Sequence, residues 1–146
     1  MARHKDLLGL ARSMDKLAKR VPQAVNELVM DTARAILKDL VYVTPVDTSL
    51  ALSNWQVSLT SPKRRTVDAF AYGRKGSTKA LSAEGTILAG ELAISKRRIG
   101  QTIWIINNIS YIGDLDNGYS RQFAGGFATR ARAVATRVVN RNGIKL

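Results

Sequence analysis

Residues 44–55 read Thr44-Pro45-Val46-Asp47-Thr48-Ser49-Leu50-Ala51-Leu52-Ser53-Asn54-Trp55, and they separate a long helical pattern from the clearest strand pattern in the chain. Proline fixes its own φ angle and disfavours the α conformation at the preceding residue, so Thr44-Pro45 is predicted to end a helix. The side chains of Asp47, Thr48 and Ser49 can bond to nearby backbone groups and hold a turn. The stretch therefore predicts a helix, a defined turn and a strand led by Trp55.

The chain before this turn has the pattern of an amphipathic helix. Apolar residues between Leu7 and Leu40 recur mostly in alternating steps of four and three, which places them in one stripe. Pro22 interrupts the pattern, because proline suits the first turn of a helix and damages its interior. Either one long helix kinks near Arg20-Val21, or a second helix starts at Pro22. We favour two collinear or bent pieces whose stripe packs on the domain's own sheet.

Strand patterns follow the turn. Residues 54–60 alternate apolar and polar side chains, as in a half-buried strand. Residues 66–72 can pair back on this strand as a hairpin. Residues 102–107 carry apolar residues on both faces, which favours a central strand.

Helical patterns occupy most of the remaining chain. A mid-chain helix is expected to follow Ser77 or Thr78, either of which could cap it, and to run through Ile94. Residues 111–118 suit a short helix or turn closed by Asn117-Gly118, and residues 127–139 carry a weaker helical pattern. We therefore predict one α+β domain over residues 1–146. A long N-terminal helix, kinked or split near Pro22, would pack on a small, mostly antiparallel sheet, with a mid-chain helical insertion and a short C-terminal helix.

The net charge of +12 favours polyanionic partners, either nucleic acid, an acidic membrane face or an acidic protein surface. Residues 62–98 carry nine Lys and Arg against three Asp and Glu, and residues 121–146 carry six against none. The excess therefore lies in a basic insertion at 62–98 and in a C-terminal arm whose last residues, 140–146, are expected to be flexible. No apolar run approaches the roughly 20 residues of a membrane span, so no membrane partner is predicted.

Catalytic and cofactor signatures are absent from the sequence. One histidine and no cysteine cannot supply a His/Cys metal set, and neither a Walker loop nor a dinucleotide fingerprint occurs. Asp114 and Asp116 could bind a divalent cation, but a helix-capping or surface role is favoured. The loop 73–78 could cradle a phosphate, although a plain mobile loop fits better. We therefore predict a protein that is not an enzyme and has no cofactor or metal.

Three ordered motifs resemble those of a tailed-phage family, the neck or tail-completion proteins, also called minor tail components. The first is Thr44-Pro45-Val46-Asp47-Thr48 with Leu50 and Ser53-Asn54-Trp55. The second is a strand ending in Asn107, followed by Tyr111, Leu115 and Gly118. The third is the segment 120–127, Ser-Arg-Gln-Phe-Ala-Gly-Gly-Phe. Two departures are Ser49, where the family usually has glycine, and Phe123-Ala124, where the family usually has a small residue and proline.

The resemblance implies a non-enzymatic virion protein at the head–tail junction, assembled in the host cytoplasm. Such a protein forms a ring, typically a hexamer, that joins the tail to the head connector, so its partners would be further copies of itself and neighbouring head-connector and tail proteins. A cyclic ring needs two different complementary patches on each subunit. The basic segments could grip these partners or line a lumen and touch DNA phosphates without reading bases.

Two sets of residues follow from these expectations. The candidate interface residues are chosen by their charge and loop position. They are Lys63, Arg64, Arg65, Arg74, Lys75, Arg121, Gln122, Arg130 and Arg132. The candidate core anchors are large residues of the motifs and strands: Trp55, Trp104, Tyr111 and Leu115. Core packing is favoured over base stacking for both tryptophans. Two alternative functions stay open, a tail terminator or other joining protein and a basic nucleic-acid-binding protein.

Overall fold

The N-terminal helix is the longest element of the structure. The computed structural model describes the backbone of residues 2–144 and the side chains of residues 7–144, and helix α1 spans Ala2–Val43 without interruption. Pro22 lies inside this helix, so the expected division into two pieces is wrong. Proline removes one backbone N–H donor, and the turns on both sides keep the helix continuous across that gap.

Only the second half of α1 packs on the domain. Residues 7–23 are all exposed, and Ala24 is the first buried residue of the helix. From there on α1 packs mainly against two other helices rather than against the sheet. The expectation that the whole apolar stripe packs on the sheet is therefore wrong, because the first half of the helix extends past the core.

The chain after α1 alternates short helices and strands. In order, the elements are α2 (Leu50–Ser53), β1 (Gln56–Ser58), α3 (Lys79–Ser95), β2 (Trp104–Ile106), α4 (Ile112–Asp116) and α5 (Phe127–Asn142). Strands β1 and β2 pair antiparallel, with Val57 opposite Ile105. Residues 2–144 thus form an α+β fold with five helices and a two-stranded antiparallel sheet.

The predicted hairpin partner at 66–72 is not a strand. Side chains take the place of a strand ladder there. The Asn54 amide exchanges two hydrogen bonds of 2.8 Å with the backbone of Val67, and Ser53 Oγ accepts a bond of 3.1 Å from Phe70 N–H. Ser82 Oγ lies 3.0 Å from the backbone N and 2.9 Å from the backbone O of Ala71. These side chains form hydrogen bonds with backbone groups of Val67, Phe70 and Ala71. The segment is therefore held in place without pairing to β1.

The core lies where the second half of α1 meets α3 and α5. Leu37 and Val41 of α1 are fully buried together with Leu52 and Ile94. Helices α1 and α3 approach closely at Gly90, where an added Cβ would collide with Leu37 and lie 3.1 Å from Val57 Cγ2. Gly90 therefore weakens α3 locally but permits the contact that closes the core.

Two expectations about the basic segments change in the structure. Helix α3 contributes Ala83 and Ile94 to the core, so the helical part of the segment 62–98 is a wall of the domain rather than an external insertion. Helix α5 continues to Asn142 and ends at Gly143, so residues 140–142 are helical rather than a flexible tail. Positions 145 and 146 of that predicted tail lie outside the described residues. Within residues 2–144, no helix is both long and apolar enough to cross a membrane.

Candidate functional site

Thr44 fixes the end of α1 and the position of Trp55. Its hydroxyl donates a hydrogen bond of 2.6 Å to the carbonyl oxygen of Leu40 and accepts one of 2.8 Å from the Trp55 indole N–H. Thr44 is completely buried and Trp55 is 8% exposed. The indole ring meets Phe127 edge to face, with centroids 5.2 Å apart. One threonine hydroxyl therefore joins the last turn of α1 to the main aromatic anchor of the core.

The turn that follows is held by a left-handed residue. Ser49 has φ 69°, a conformation that glycine adopts without steric cost and that other residues rarely take. Its hydroxyl lies 3.0 Å from Thr78 Oγ1, at the start of α3. Its carbonyl oxygen accepts the N–H of Ser53 at 3.0 Å and so begins α2. Ser49 is buried, which makes the conformation of this turn part of the packed structure.

The loop 73–78 is tied to the same turn. Asp47 Oδ1 accepts the backbone N–H of Lys75 at 2.7 Å, and the Asp47 carbonyl oxygen accepts that of Gly76 at 2.8 Å. These are two of the donors that a phosphate cradle in this loop would use. These two N–H groups bond to Asp47 instead of being free for a phosphate, and Asp47 anchors the loop. The side chains of Arg74 and Lys75 remain exposed.

The second motif contacts the first through an amide and a phenol. Asn107 Nδ2 donates a hydrogen bond of 2.8 Å to the carbonyl oxygen of Ala51, and Asn107 Oδ1 accepts the N–H of Ile109 at 3.2 Å. Tyr111 lies beside the same segment. Burial raises the pKa of Tyr111, and nearby Tyr72 adds to the rise, while a hydrogen bond to the Ala51 backbone opposes it.

The third motif contacts the first through Gln122. Gln122 Oε1 accepts the N–H of Val46 at 3.0 Å, and Gln122 Nε2 donates to the Val46 carbonyl oxygen at 3.4 Å. This pair of bonds satisfies both backbone groups of the residue after Pro45. Gln122, a predicted interface residue, braces the turn through its amide, while the residue as a whole stays exposed. The side chain can make this brace because the loop between α4 and α5 passes over the turn.

A groove marks the meeting place of the three motifs. We call it the junction groove; it has a volume of about 490 Å³. It is lined by residues of the turn 45–51 and by side chains from later in the chain, namely Tyr111, Leu115, Ser120 and Gln122. Its wall therefore combines segments separated by at least sixty positions in the sequence. A partner placed here would contact all three motifs at once.

The basic interface candidates divide into free and paired side chains. Lys63, Arg64 and Arg65 are exposed, and their loop is held by its backbone: Asn108 Nδ2 bonds to the Lys63 carbonyl and Gln56 Nε2 to the Arg65 carbonyl. Arg121 and Arg132 are exposed as well. The structure spreads these cations over several loops and helices rather than forming one cluster with the junction groove.

Arg130 does not have a free guanidinium. Its Nε lies 2.6 Å from Asp39 Oδ2 and its Nη2 lies 3.0 Å from Asp39 Oδ1, which is a bidentate ion pair between α5 and α1. Arg130, a predicted interface residue, is thus held against α1, while 45% of its side chain stays exposed. The Asp39 side chain is only 19% exposed, so the pair is partly shielded from water.

Two of the four predicted core anchors are wrong. Trp104 and Tyr111 are each 38% exposed, whereas Trp55 is buried and Leu115 packs partly buried against the core. Trp104 lies in β2, a strand that has a strand partner on one side only. The apolar residues on both faces of 102–107 had predicted a central strand, and the sheet is too small to contain one.

Asp116 caps the last helix instead of binding a cation with Asp114. Asp116 Oδ1 accepts the N–H of Phe127 at 2.7 Å, and the Asp116 carbonyl oxygen accepts that of Gly126 at 2.9 Å. A Cβ at Gly125 would collide with this carbonyl oxygen, so only glycine allows the close approach. In the described part of the chain, no group of three or more His, Cys, Asp or Glu side chains is placed to hold a metal ion.

Sequence reasoning missed several buried polar residues that hold this site together. Thr44, Asn54 and Ser82 are buried, and each bonds to backbone or to another side chain. Phe127, which packs on Trp55, was predicted as the end of the third motif and the start of a weak helix, but not as a core residue. Nothing in the alternating pattern marked Asn54 as a buried residue. Its partner Val67 is set by the tertiary structure.

No protein-family model, curated protein or solved structure matches this chain.

Proposed function

We propose that this chain is a structural virion protein of a tailed bacteriophage, a neck or tail-completion protein that joins the tail to the head connector. It catalyses no reaction and acts as one subunit of a ring, typically a hexamer, at the head–tail junction. Its partners are other copies of itself and the adjacent head-connector and tail proteins. Where the ring encloses a lumen, its basic side chains touch DNA only through phosphates.

The convergence of the three ordered motifs carries most weight. Their residues were selected by resemblance and by order along the chain, and they meet in space at the junction groove. Each contact uses a motif residue: Thr44 with Trp55, Asn107 with Ala51, and Gln122 with Val46. Segments matched by chance would not be expected to contact the same turn, residues 45–51. The left-handed Ser49 adds support, because the family usually has glycine at that position and φ 69° favours glycine.

Imaging of virions tests this function. The gene is expressed with a short C-terminal tag in its phage, and gold-labelled antibody is applied to purified particles for electron microscopy. We expect label at the junction between head and tail. Particles that lack the chain at this junction contradict the proposal. Untagged particles serve as the control for antibody background.

A deletion separates tail completion from the closely related tail terminator. Loss of a completion protein leaves filled heads and tails of normal length that do not join. Loss of a terminator gives tails of uncontrolled length.

Complementation with Asp114→Asn/Asp116→Asn is expected to restore infectivity, because asparagine can still cap α5. Failure of this variant alone, with the protein folded, would favour an enzyme that uses the carboxylates.

A free nucleic-acid-binding protein is the second candidate, and the charge of the C-terminal region favours it. Residues 121–146 contain no acidic residue, and Arg132, Arg137 and Arg141 are exposed. A salt titration of duplex DNA binding tests this candidate, because each phosphate contact makes the affinity fall more steeply with salt. Arg132→Gln/Arg137→Gln, which leaves the Arg130–Asp39 pair intact, should reduce that slope. Negligible binding of the intact chain at low salt excludes this function.

A further inference from the structure

The first half of α1 carries an apolar face that the described part of the chain leaves uncovered. Leu7, Leu10, Met14, Leu17 and Val21 are 38–67% exposed. Their spacing of three, four, three and four places them in one seam, which has the repeat of a helix that packs against another helix. We call these five residues the α1 seam. Soluble monomers rarely expose a contiguous apolar patch of this kind without a use for it.

A second uncovered apolar face lies on α3. Leu81, Leu88 and Leu92 are 63%, 57% and 58% exposed, and steps of seven and four place them on one side of the helix. The opposite side of α3 packs into the core through Ala83 and Ile94. A helix that is apolar on both sides is typical of an interior position. The three leucines, called the α3 face here, therefore provide a surface on which another helix can pack.

The two faces are similar in length but cannot meet within one chain. The α1 seam runs about 21 Å and the α3 face about 17 Å along their helix axes, at a rise of about 1.5 Å per residue. Helix α1 is continuous through Pro22, and its residues before Ala24 project beyond the core. The seam therefore does not pack on α3 of the same chain, and a partner that covers it has to belong to another molecule.

The helical segments that carry the two faces differ in the sign of their net charge. Residues 7–23 contain four Lys and Arg and one Asp, whereas Lys79–Ser95 contains one Lys and two Glu. On α3, the exposed Glu84 lies between Leu81 and Leu88, and Glu91 is 3.8 Å from Lys38. Packing two α1 seams together would bring two basic segments near one another. On α1, the exposed Arg20 lies beside the seam, next to Leu17 and Val21, so packing a seam on α3 brings this guanidinium towards carboxylates instead.

We propose that the α1 seam of one copy docks on the α3 face of a second copy of this chain. The contact is head to tail, since each copy uses two different patches, and repetition of such a contact gives a ring when the rotation closes. The proposal deepens the proposed function by naming the subunit contact of the ring. It concerns self-assembly, however, and can be tested with the purified chain alone.

Two variants, each with one face disabled, test the contact by light scattering after size-exclusion chromatography. The first variant is Leu10→Asp/Leu17→Asp in the seam, and the second is Leu88→Asp on α3. We expect the unmodified chain to form oligomers and each variant to associate at least about tenfold more weakly, since each loses buried leucine surface. A mixture of the two variants should form dimers and nothing larger, because one intact seam and one intact α3 face remain.

Charge reversal gives a second measurement that does not depend on leucine replacement. Arg20→Glu should weaken assembly of the chain, and adding Glu84→Lys to the same chain should restore at least part of it. Circular dichroism verifies the helix content of every variant. Restoration would not occur if the seam packed on another seam or on a different surface.

Cysteine pairing maps the contact directly, because the sequence has no cysteine of its own. Chains with Leu17→Cys are mixed with chains carrying Leu88→Cys and oxidised, and we expect a disulfide-linked dimer. Chains with Thr136→Cys, an exposed position on α5, replace the Leu88→Cys chains as the control. Linkage of Leu17→Cys chains mainly to themselves overturns the proposal. An unmodified chain that stays monomeric at high concentration also overturns the proposal. The proposed virion role is a separate matter, since it fails only if the chain is absent from the head–tail junction.

Discussion

Thr44 shows how a single residue can determine the arrangement of two elements. Its position before Pro45 ends α1, as the sequence predicts, and its hydroxyl then receives the Trp55 indole N–H at 2.8 Å. The sequence indicated the first role because the effect of proline is local. It did not indicate the second, because an eleven-residue separation gives no sign that two side chains meet.

Replacing Thr44 by valine should destabilise the fold. Thr44→Val keeps the shape of the side chain but leaves the buried indole N–H without an acceptor, which costs about 1–3 kcal/mol of the free energy of unfolding. Urea denaturation measures the change. Thr136→Val is the matched control, because its hydroxyl also bonds the carbonyl four residues earlier, at 3.0 Å, but is exposed. An equal effect at both positions would mean that the indole bond contributes nothing.

The two tryptophans should respond differently to truncation. Trp55→Ala removes a buried ring that packs on Phe127 and should cost roughly 3–5 kcal/mol of the free energy of unfolding. Trp104→Ala removes a ring that is 38% exposed on β2, so we expect a smaller loss, of about 1–2 kcal/mol. Thermal or urea unfolding of both variants checks this order. A loss below about 1 kcal/mol at Trp55 would contradict its place in the core.

At the scale of elements, helices were easier to predict than strands. The α1 periodicity runs over many turns and was read correctly as helix, although Pro22 suggested a break that the structure does not have. The hairpin at 66–72 failed because Asn54, Ser53 and Ser82 bond its backbone in place of a strand. A short alternating segment satisfies its backbone by whichever partners the tertiary fold supplies.

The contact between α1 and α3 should be sensitive at Gly90. Gly90→Val places side-chain atoms against Leu37 and Val57, and overpacking of this kind costs about 1–3 kcal/mol of the free energy of unfolding. Gly9→Val is the matched control, because a Cβ at Gly9 meets no atom within 4 Å. Urea denaturation of both variants, each with circular dichroism of the folded state, measures the difference. Equal midpoints would show that the two helices can separate without cost.

At the scale of the whole molecule, most of the basic excess lies on other segments than the uncovered apolar faces. The larger part of the excess lies in loops and in α5, while the apolar faces lie on α1 and α3. A net charge of +12 opposes random association of copies. Assembly then depends on specific faces that combine apolar burial with opposite local charges.

Removing the projecting part of α1 should leave the domain folded. A chain that lacks residues 1–20 loses only exposed side chains among the described residues, and Pro22 then lies in the first turn of the helix, which suits proline. We expect the free energy of unfolding, measured in urea at a concentration where the chain is monomeric, to change by less than about 1 kcal/mol. Loss of more than twice that amount would mean that residues 1–20 support the core.

Features that act over short distances could be predicted from the residues: the helical character of α1, its end at Thr44-Pro45, the turn after it and a short helix or turn near Asp114. The packed fold was needed to establish which half of α1 is buried, that β2 rather than residues 66–72 pairs with β1, and that Gln122 braces Val46. The physical reason is that helix periodicity and proline sterics act within a few residues, whereas burial and strand pairing depend on which distant segments compete for the same backbone groups and apolar surface.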